Sequence, residues 1–246
     1  MCTNFTSTAD SSWVRRHFAQ NLPRAENLEV YPGQRAPIAY LGAQGQVQIE
    51  LAQFGLLPSW VDEVRAKTFH RHTYNARIES VQTKPSFRQA WRQAQYAVLL
   101  IDDFFEPCYE SGVAVRHRIQ TTLNEPFGVA CLWDRWSRPQ EHRRHEIGGK
   151  PGLLSFTMLT LNADQHPVMS RMHPPEDEKR MPWVLVADQF EAWLNAVPTH
   201  AQDLARRDVM PTLKAQAHPR LKPDSSARKD AKTEEKSTSP DQLDLF

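Results

Sequence analysis

The sequence predicts an α+β fold of curved, mostly antiparallel β-sheets with a few flanking helices. Three observations point there. Short runs rich in β-branched and aromatic residues recur between Leu28 and Leu161, helical patterns are few and short, and eighteen prolines leave little room for long helices.

Taken in order, residues 28–31 read as a short strand. Over residues 47–51, Val47, Ile49 and Leu51 alternate with Gln48 and Glu50, the period-two pattern of a half-buried strand. Residues 96–101, 113–119, 127–133 and 155–161 continue the series. Pro85-Ser86 opens a helical pattern running to Trp91, with Phe87, Ala90 and Trp91 on one face. Asp188 is placed as the N-cap of a helix over residues 189–195, whose apolar stripe is Phe190, Trp193 and Leu194. Residues 201–207 read as another short helix. Near Thr212 the composition turns to Lys, Asp, Ser, Pro, Ala and Glu with almost nothing to bury. The expected layout is a folded domain over residues 1–212, a disordered linker over 213–241 and an apolar peptide, Gln242-Leu243-Asp244-Leu245-Phe246, at the end.

At 246 residues, with 40% hydrophobic and 24% charged residues, the chain suits one sizeable soluble domain plus a tail. Three cysteines do not make a disulfide framework in a chain this long. No Cys/His grouping has zinc-ligand spacing, and His142 and His145 sit in a basic run without cysteine partners. No metal or organic cofactor is therefore expected. There is no apolar stretch of membrane-spanning length and no signal-like start, so a cytoplasmic location is the expectation. Net charge is +1, which neither demands nor excludes nucleic acid. The distribution says more. From Trp60 to Arg92 seven basic residues face three acidic ones, and a second basic excess runs from Arg116 to Lys150.

Cys2 is the position with the most specific chemistry. Methionine aminopeptidases remove Met1 when the next side chain is small, and Cys2 then carries a free α-amine and a thiol on one residue. Such a 1,2-aminothiol condenses with an aldehyde to an imine, and its thiol closes the imine to a thiazolidine. An α-amine titrates near ~7.7–8.0 and lysine near ~10.4, so near neutral pH the terminal amine is the better carbonyl trap. By position alone, Cys2 reads rather as part of a frayed chain start, and it is the rest of the sequence that reverses this.

Further segments follow in order. They are Tyr31-Pro32-Gly33-Gln34 with Ala36-Pro37, Phe54-Gly55-Leu56-Leu57-Pro58-Ser59-Trp60, and Tyr74-Asn75-Ala76-Arg77-Ile78-Glu79. After them come Pro85-Ser86-Phe87-Arg88, Asp103-Phe104-Phe105-Glu106-Pro107, Ser155-Phe156-Thr157, and His173 ahead of Arg180-Met181-Pro182. Together with Met1-Cys2, this ordered set resembles the SOS response-associated peptidase (SRAP) family over roughly the first two hundred residues. The resemblance implies a barrel-like fold and a sensor of abasic sites in single-stranded DNA. It also implies covalent capture of the open-chain sugar aldehyde by the N-terminal cysteine as a thiazolidine, with lyase-like imine chemistry. The family name records a peptidase activity that corresponds to removal of the initiator methionine.

Asn75 and Arg77 are two apart and share one face of an extended chain, so Asn75 can hydrogen-bond the reacting sugar while Arg77 forks onto a phosphate. In isolation, Asn-Ala-Arg reads as a turn Asn beside a surface Arg. Glu106 ends the apolar run 96–105, where desolvation raises a carboxyl toward the range useful for proton transfer. By the resemblance, it helps open the deoxyribose ring. The resemblance makes His173 the second acid/base, although six residues from Pro174 to Lys179 separate it from Arg180-Met181-Pro182, which leaves His166 as the alternative. A further departure is Thr3-Asn4 in place of the family's Gly-Arg, which shifts the expected phosphate contacts to Arg77 and Arg88. Trp60 reads either as a stacking platform for an unpaired base or as a core residue.

The terminal peptide resembles the motif by which bacterial replication and repair proteins dock on the β sliding clamp. Leu243, Leu245 and Phe246 suit an apolar cleft, with Gln242 as a hydrogen-bonding anchor. The linker would span on the order of 30 Å and hold the domain near replicating DNA in the nucleoid. Two other functions fit some of these residues. An N-terminal cysteine peptidase would use the Cys2 thiol on an amide, and a non-covalent single-stranded-DNA and clamp-binding module would leave Cys2 idle.

Overall fold

The computed structural model describes residues 2–137, 152–207 and 210–220. The terminal peptide Gln242-Leu243-Asp244-Leu245-Phe246, most of the expected linker, Met1, and His142 and His145 lie outside the described residues.

The described chain runs β1 (Phe5–Ser7), α1 (Ser11–Phe18), β2 (Glu29–Val30), β3 (Arg35–Leu41), β4 (Val47–Phe54), α2 (Glu63–Phe69), β5 (Asn75–Arg77) and α3 (Arg88–Arg92). It continues through β6 (Tyr96–Cys108), β7 (Val115–Thr121), β8 (Phe127–Trp136), β9 (Leu153–Asn162), β10 (Arg180–Pro182), β11 (Val184–Leu185), α4 (Phe190–Leu194), α5 (Pro198–Arg207) and β12 (Leu213–Ala217). The expected α+β class, with curved and mostly antiparallel sheet, is what forms.

Five strands close a ring in the order β8, β9, β4, β3, β6, because β6 pairs with β3 along one edge and with β8 along the other. The β4–β9 and β5–β9 pairs are parallel, and the remaining pairs are antiparallel. Strand β6 explains the architecture. Residues 96–101 are apolar on both faces: Ala97, Leu99 and Ile101 join one core cluster with Phe5, Phe54 and Phe156. Tyr96, Val98 and Leu100 join another with Trp91, Trp183 and Trp193. A strand covered on both sides needs an unbroken apolar run rather than alternation. Beyond Ile101 the same strand leaves the ring and pairs with β1 and β7 instead. That extension carries Glu106.

Local chemistry accounts for elements that periodicity misses. The Asp10 carboxylate accepts from Ser12 N at 3.0 Å and Trp13 N at 2.9 Å, starting α1. Asp62 does the same for α2 through Val64 N and Arg65 N. Pro37 obscures β3 in the sequence. It is tolerated because β6 pairs only with Ile38, Ala39 and Tyr40, past the proline. Gly55 adopts φ +110°, and a Cβ there would meet the His70 carbonyl oxygen at 2.6 Å, so the Phe54-Gly55-Leu56 turn admits glycine alone.

Two expectations need correction. Asp188 does not cap a helix: it lies inside a 3₁₀ turn, Ala187–Gln189, and the Gln189 side chain accepts from Val186 N at 2.8 Å instead. The linker does not begin at residue 213. Residues 213–217 form β12 and pair antiparallel with β7, from Leu213↔Thr121 to Ala217↔His117. Composition hid this strand because only Leu213 of it is buried, and a sheet edge needs backbone partners more than apolar side chains.

Candidate active site around Cys2

Cys2 is fixed from both sides although it precedes the first strand. The Phe105 amide donates to the Asn4 carbonyl at 3.1 Å, extending the β1–β6 pairing toward the chain start. The Cys2 thiol donates to the same carbonyl at 3.5 Å. From the opposite side, Asn75 Nδ2 donates to the Cys2 carbonyl at 2.7 Å. Asn75 opens β5, which lies parallel to β9 with Asn75 opposite Met158, and Met158 N donates to the Tyr74 carbonyl at 3.0 Å. Cys2 is buried at 1% exposure, and burial raises its thiol well above the ordinary value, helped by the Glu106 carboxylate.

Glu106 and His173 face each other behind this segment. Glu106 Oε2 lies 3.4 Å from His173 Nε2, with both side chains buried. The His173 backbone adopts φ 63°, and its amide donates to the Pro107 carbonyl at 2.7 Å, beside a Cys108–Met172 bridge. Glu106 Oε1 is buried without a hydrogen-bond partner, as is Asn75 Oδ1. Burial lifts Glu106 from 4.5 to about 8 and drops His173 from 6.5 to about 4. Both shifts have the same largest cause, the absence of water to solvate a charge, and for His173 the positive charges of the chain start and Lys179 add to it. At neutral pH the pair therefore holds a protonated carboxyl beside a neutral imidazole, an acid and a base in contact.

The SOS response associated peptidase (SRAP) family model matches residues 1–220. The chain belongs to the SRAP family. Among curated relatives, the "Abasic site processing protein YoqW" of Bacillus subtilis is 24% identical over 201 residues, covering 79% of this chain and 80% of that protein. The chicken "Abasic site processing protein HMCES" is 26% identical over 168 residues, covering 60% of this chain and 46% of that protein. A crystal structure of a Bordetella bronchiseptica protein superposes with TM-score 0.77 and 26% identity, covering 89% of this chain and all of that one. A Bacteroides thetaiotaomicron protein shares the fold, with TM-score 0.67 and 21% identity over 88% of this chain and 91% of that one.

This SRAP chain gathers Cys2, Asn75, Glu106 and His173 at one place from four separate segments. His166 is committed elsewhere. Its Nδ1 accepts from Val168 N and Met169 N, both at 3.1 Å, and so caps a short 3₁₀ turn. The six residues between His173 and Arg180 fold into a turn, with Asp177 N donating to the Pro174 carbonyl at 3.1 Å. Lys179 Nζ closes it on the His173 carbonyl at 3.4 Å, so the insertion leaves His173 against Glu106. Arg77 shares the outward face of β5 with Asn75 and pairs with Glu178 at 2.7 Å. Trp60 is half exposed, its ring set edge-on to Phe69 at 5.7 Å. Together with Pro85, Arg88 and Gln89 it lines a cleft of about 300 Å³, so Trp60 and Arg88 share one surface.

Sequence reasoning passed over Tyr74 and Asn4. The Tyr74 ring packs edge-on against Phe54 at 5.7 Å, and burial, then the charges of Cys2 and Glu106, raise its hydroxyl. Its signal was present, since it directly precedes Asn75. Asn4 was noted only as a departure from the family pattern, yet it is the residue that holds the thiol. Among the described residues no group of three or more His, Cys, Asp or Glu is arranged to hold a metal ion, and no helix is long and apolar enough to cross a membrane.

Proposed function

We propose that this protein captures abasic sites in single-stranded DNA by forming a covalent thiazolidine at Cys2 once Met1 is removed. The observation that carries the reading is the Glu106–His173 pair, an acid and a base in contact, packed behind a cysteine that processing turns into an aminothiol. Both curated relatives bear names for abasic-site processing.

The chemistry runs in balanced steps. Protonated Glu106 gives its proton to the ring oxygen of the abasic sugar while neutral His173 takes the hydroxyl proton, and the ring opens to the aldehyde. The Cys2 amine adds to the aldehyde carbon, and loss of one water leaves an imine. The thiol then adds to the imine carbon, and its proton passes to the nitrogen. Asn75 holds the Cys2 carbonyl so that amine and thiol meet the same carbon. Arg77 and Arg88 contact phosphates, and Trp60 stacks on a base. This order suits a thiol that burial keeps protonated, because the thiol acts last and needs no preformed thiolate. A cysteine peptidase attacking an amide needs that thiolate first, which places the peptidase reading second. Removal of Met1 is the hydrolytic step the family name fits. The terminal Gln242-Leu243-Asp244-Leu245-Phe246 would dock the chain on a β sliding clamp; unchanged clamp affinity after its deletion would sink that part.

The test is a denaturing gel after incubating protein with verified free Cys2 and single-stranded DNA bearing one abasic site. A heat-stable adduct, absent with undamaged DNA and with Cys2→Ala, is expected. Cys2→Ser keeps the amine and should give only a reversible imine. No adduct from the wild-type chain would reject the reading.

A further inference from the structure

Residues 213–220 return to the start of the chain. Past β12, the His218 amide donates to the Arg116 carbonyl at 2.8 Å, continuing the ladder with β7. The His218 ring lies 5.6 Å from the Phe105 ring, and the Arg116 guanidinium sits 3.4 Å from that ring's centre. Arg220 then reaches over the Tyr31 ring, at 5.3 Å, and places Nη2 3.1 Å from Glu29 Oε1. That same carboxylate oxygen takes Arg116 Nη2 at 2.5 Å, Asn4 Nδ2 at 2.6 Å and the Tyr31 hydroxyl. The Asn4 carbonyl is the acceptor for the Cys2 thiol. A continuous path therefore runs from Arg220 through Glu29 and Asn4 to Cys2.

We propose that residues 213–220 are a clasp that positions the N-terminal cysteine, with Arg220 and Arg116 acting through Glu29 on Asn4. The inference rests on the reading of Cys2 as the reacting residue and names what holds it in place. Removal of Met1 leaves Asn4 only two residues from a free chain end, where a peptide ordinarily frays. Arg220 is 60% exposed and Glu29 38%, so their ion pair alone is worth little. The arrangement gains its strength from convergence. Two guanidinium groups and an amide meet on one carboxylate, each guanidinium also covers an aromatic ring, and the Asn4 amide is buried. Fixing Asn4 fixes the direction in which the Cys2 amine and thiol point. A displacement of about 1 Å at a reacting group can cost about a hundredfold in rate.

Two measurements on the full chain with Met1 removed test the clasp in wild type, Arg220→Ala and Glu29→Gln. The first is amide hydrogen exchange over residues 3–8. The second is single-turnover adduct formation at saturating abasic single-stranded DNA, with the half-saturating DNA concentration measured in parallel. Arg220→Ala, a change at an exposed side chain that leaves the fold intact, should speed exchange several-fold, on the order of fivefold. It should also lower the saturated rate by about three- to tenfold while half-saturation moves by less than about twofold. Glu29→Gln keeps an acceptor oxygen for Asn4 and loses both ion pairs, so it should show the same split. Unchanged exchange would overturn the clasp. A raised half-saturation with an unchanged saturated rate would also overturn it, making Arg220 a phosphate contact instead. If wild type forms no adduct, the reading of Cys2 fails, and faster exchange in Arg220→Ala still upholds the clasp.

Discussion

Glu106 Oε2 and His173 Nε2 stand 3.4 Å apart, both buried, and the order in which they lose their protons is the reverse of that in solution. A free glutamate and histidine at neutral pH would give up the carboxyl proton first. Here burial keeps the carboxyl protonated and the imidazole neutral, because neither charge is solvated.

That inversion sets a pH dependence. The Glu106 carboxyl is raised from 4.5 to about 8, so between those values the folded state holds a proton that the unfolded state has released. Stability therefore falls as pH rises through that window, by an amount on the order of a few kcal/mol. His173 works the opposite way, since its depressed value removes stability as pH falls from 6.5 toward 4. Below pH 6.5 the two contributions offset each other, so the net decline runs from about pH 6.5 to 8; Glu106→Gln should abolish it, and thermal melts from pH 5 to 9 read it directly. The same decline between pH 6.5 and 8 in Glu106→Gln would refute the assignment. In adduct formation, the same variant should be slower by about 10²–10³ and lose the decline above pH 8.

The two histidines separate by kind of effect. His173→Ala should slow adduct formation by about 10²-fold or more with little change in DNA affinity. His166→Ala removes the cap on the 3₁₀ turn and should cost about 0.5–2 kcal/mol of stability while leaving the saturated rate within about twofold. A rate collapse in His166→Ala at a temperature where it remains folded would reverse the two roles.

Trp60 and Arg88 should act on binding rather than chemistry, since they share a cleft distinct from the contacts that hold Cys2. Trp60→Ala should weaken single-stranded DNA by about 1–3 kcal/mol, with the saturated adduct rate unchanged. Arg88→Ala should reduce the salt dependence of binding by roughly one phosphate. Fluorescence anisotropy at two salt concentrations measures both; unchanged affinity in both variants would assign this cleft another use.

The contribution of residues 213–220 to the fold is testable by truncation. A chain ending at Thr212 loses β12 and uncovers the β7 edge, so its melting temperature should fall by about 4 °C or more. A chain ending at Arg220 retains the strand and should melt as the full chain does. Equal melting of the two truncations would show that β12 adds nothing to the stability of the sheet.

The sequence by itself determined the fold class, half of the strands and which residues are candidates for the site. Period-two alternation over residues 47–51 and the unbroken apolar run of β6 are local signals, legible because side-chain direction and burial follow from a few consecutive residues. Cys2, Asn75 and Glu106 were legible because their residue types fit one chemistry in one order. Tertiary structure decided the rest. It set His173 against Glu106 and tied His166 to the backbone of Val168 and Met169, an arrangement in which the intervening turn closes on Lys179. It added residues 213–217 to the sheet, because β12 is held by backbone pairing to β7 and not by its own composition. It also set the protonation of the site. Asn75 meets Cys2 across 73 positions of chain, and Glu106 meets His173 from a distant strand. Desolvation at such meetings belongs to the packed interior, which no local window of sequence contains.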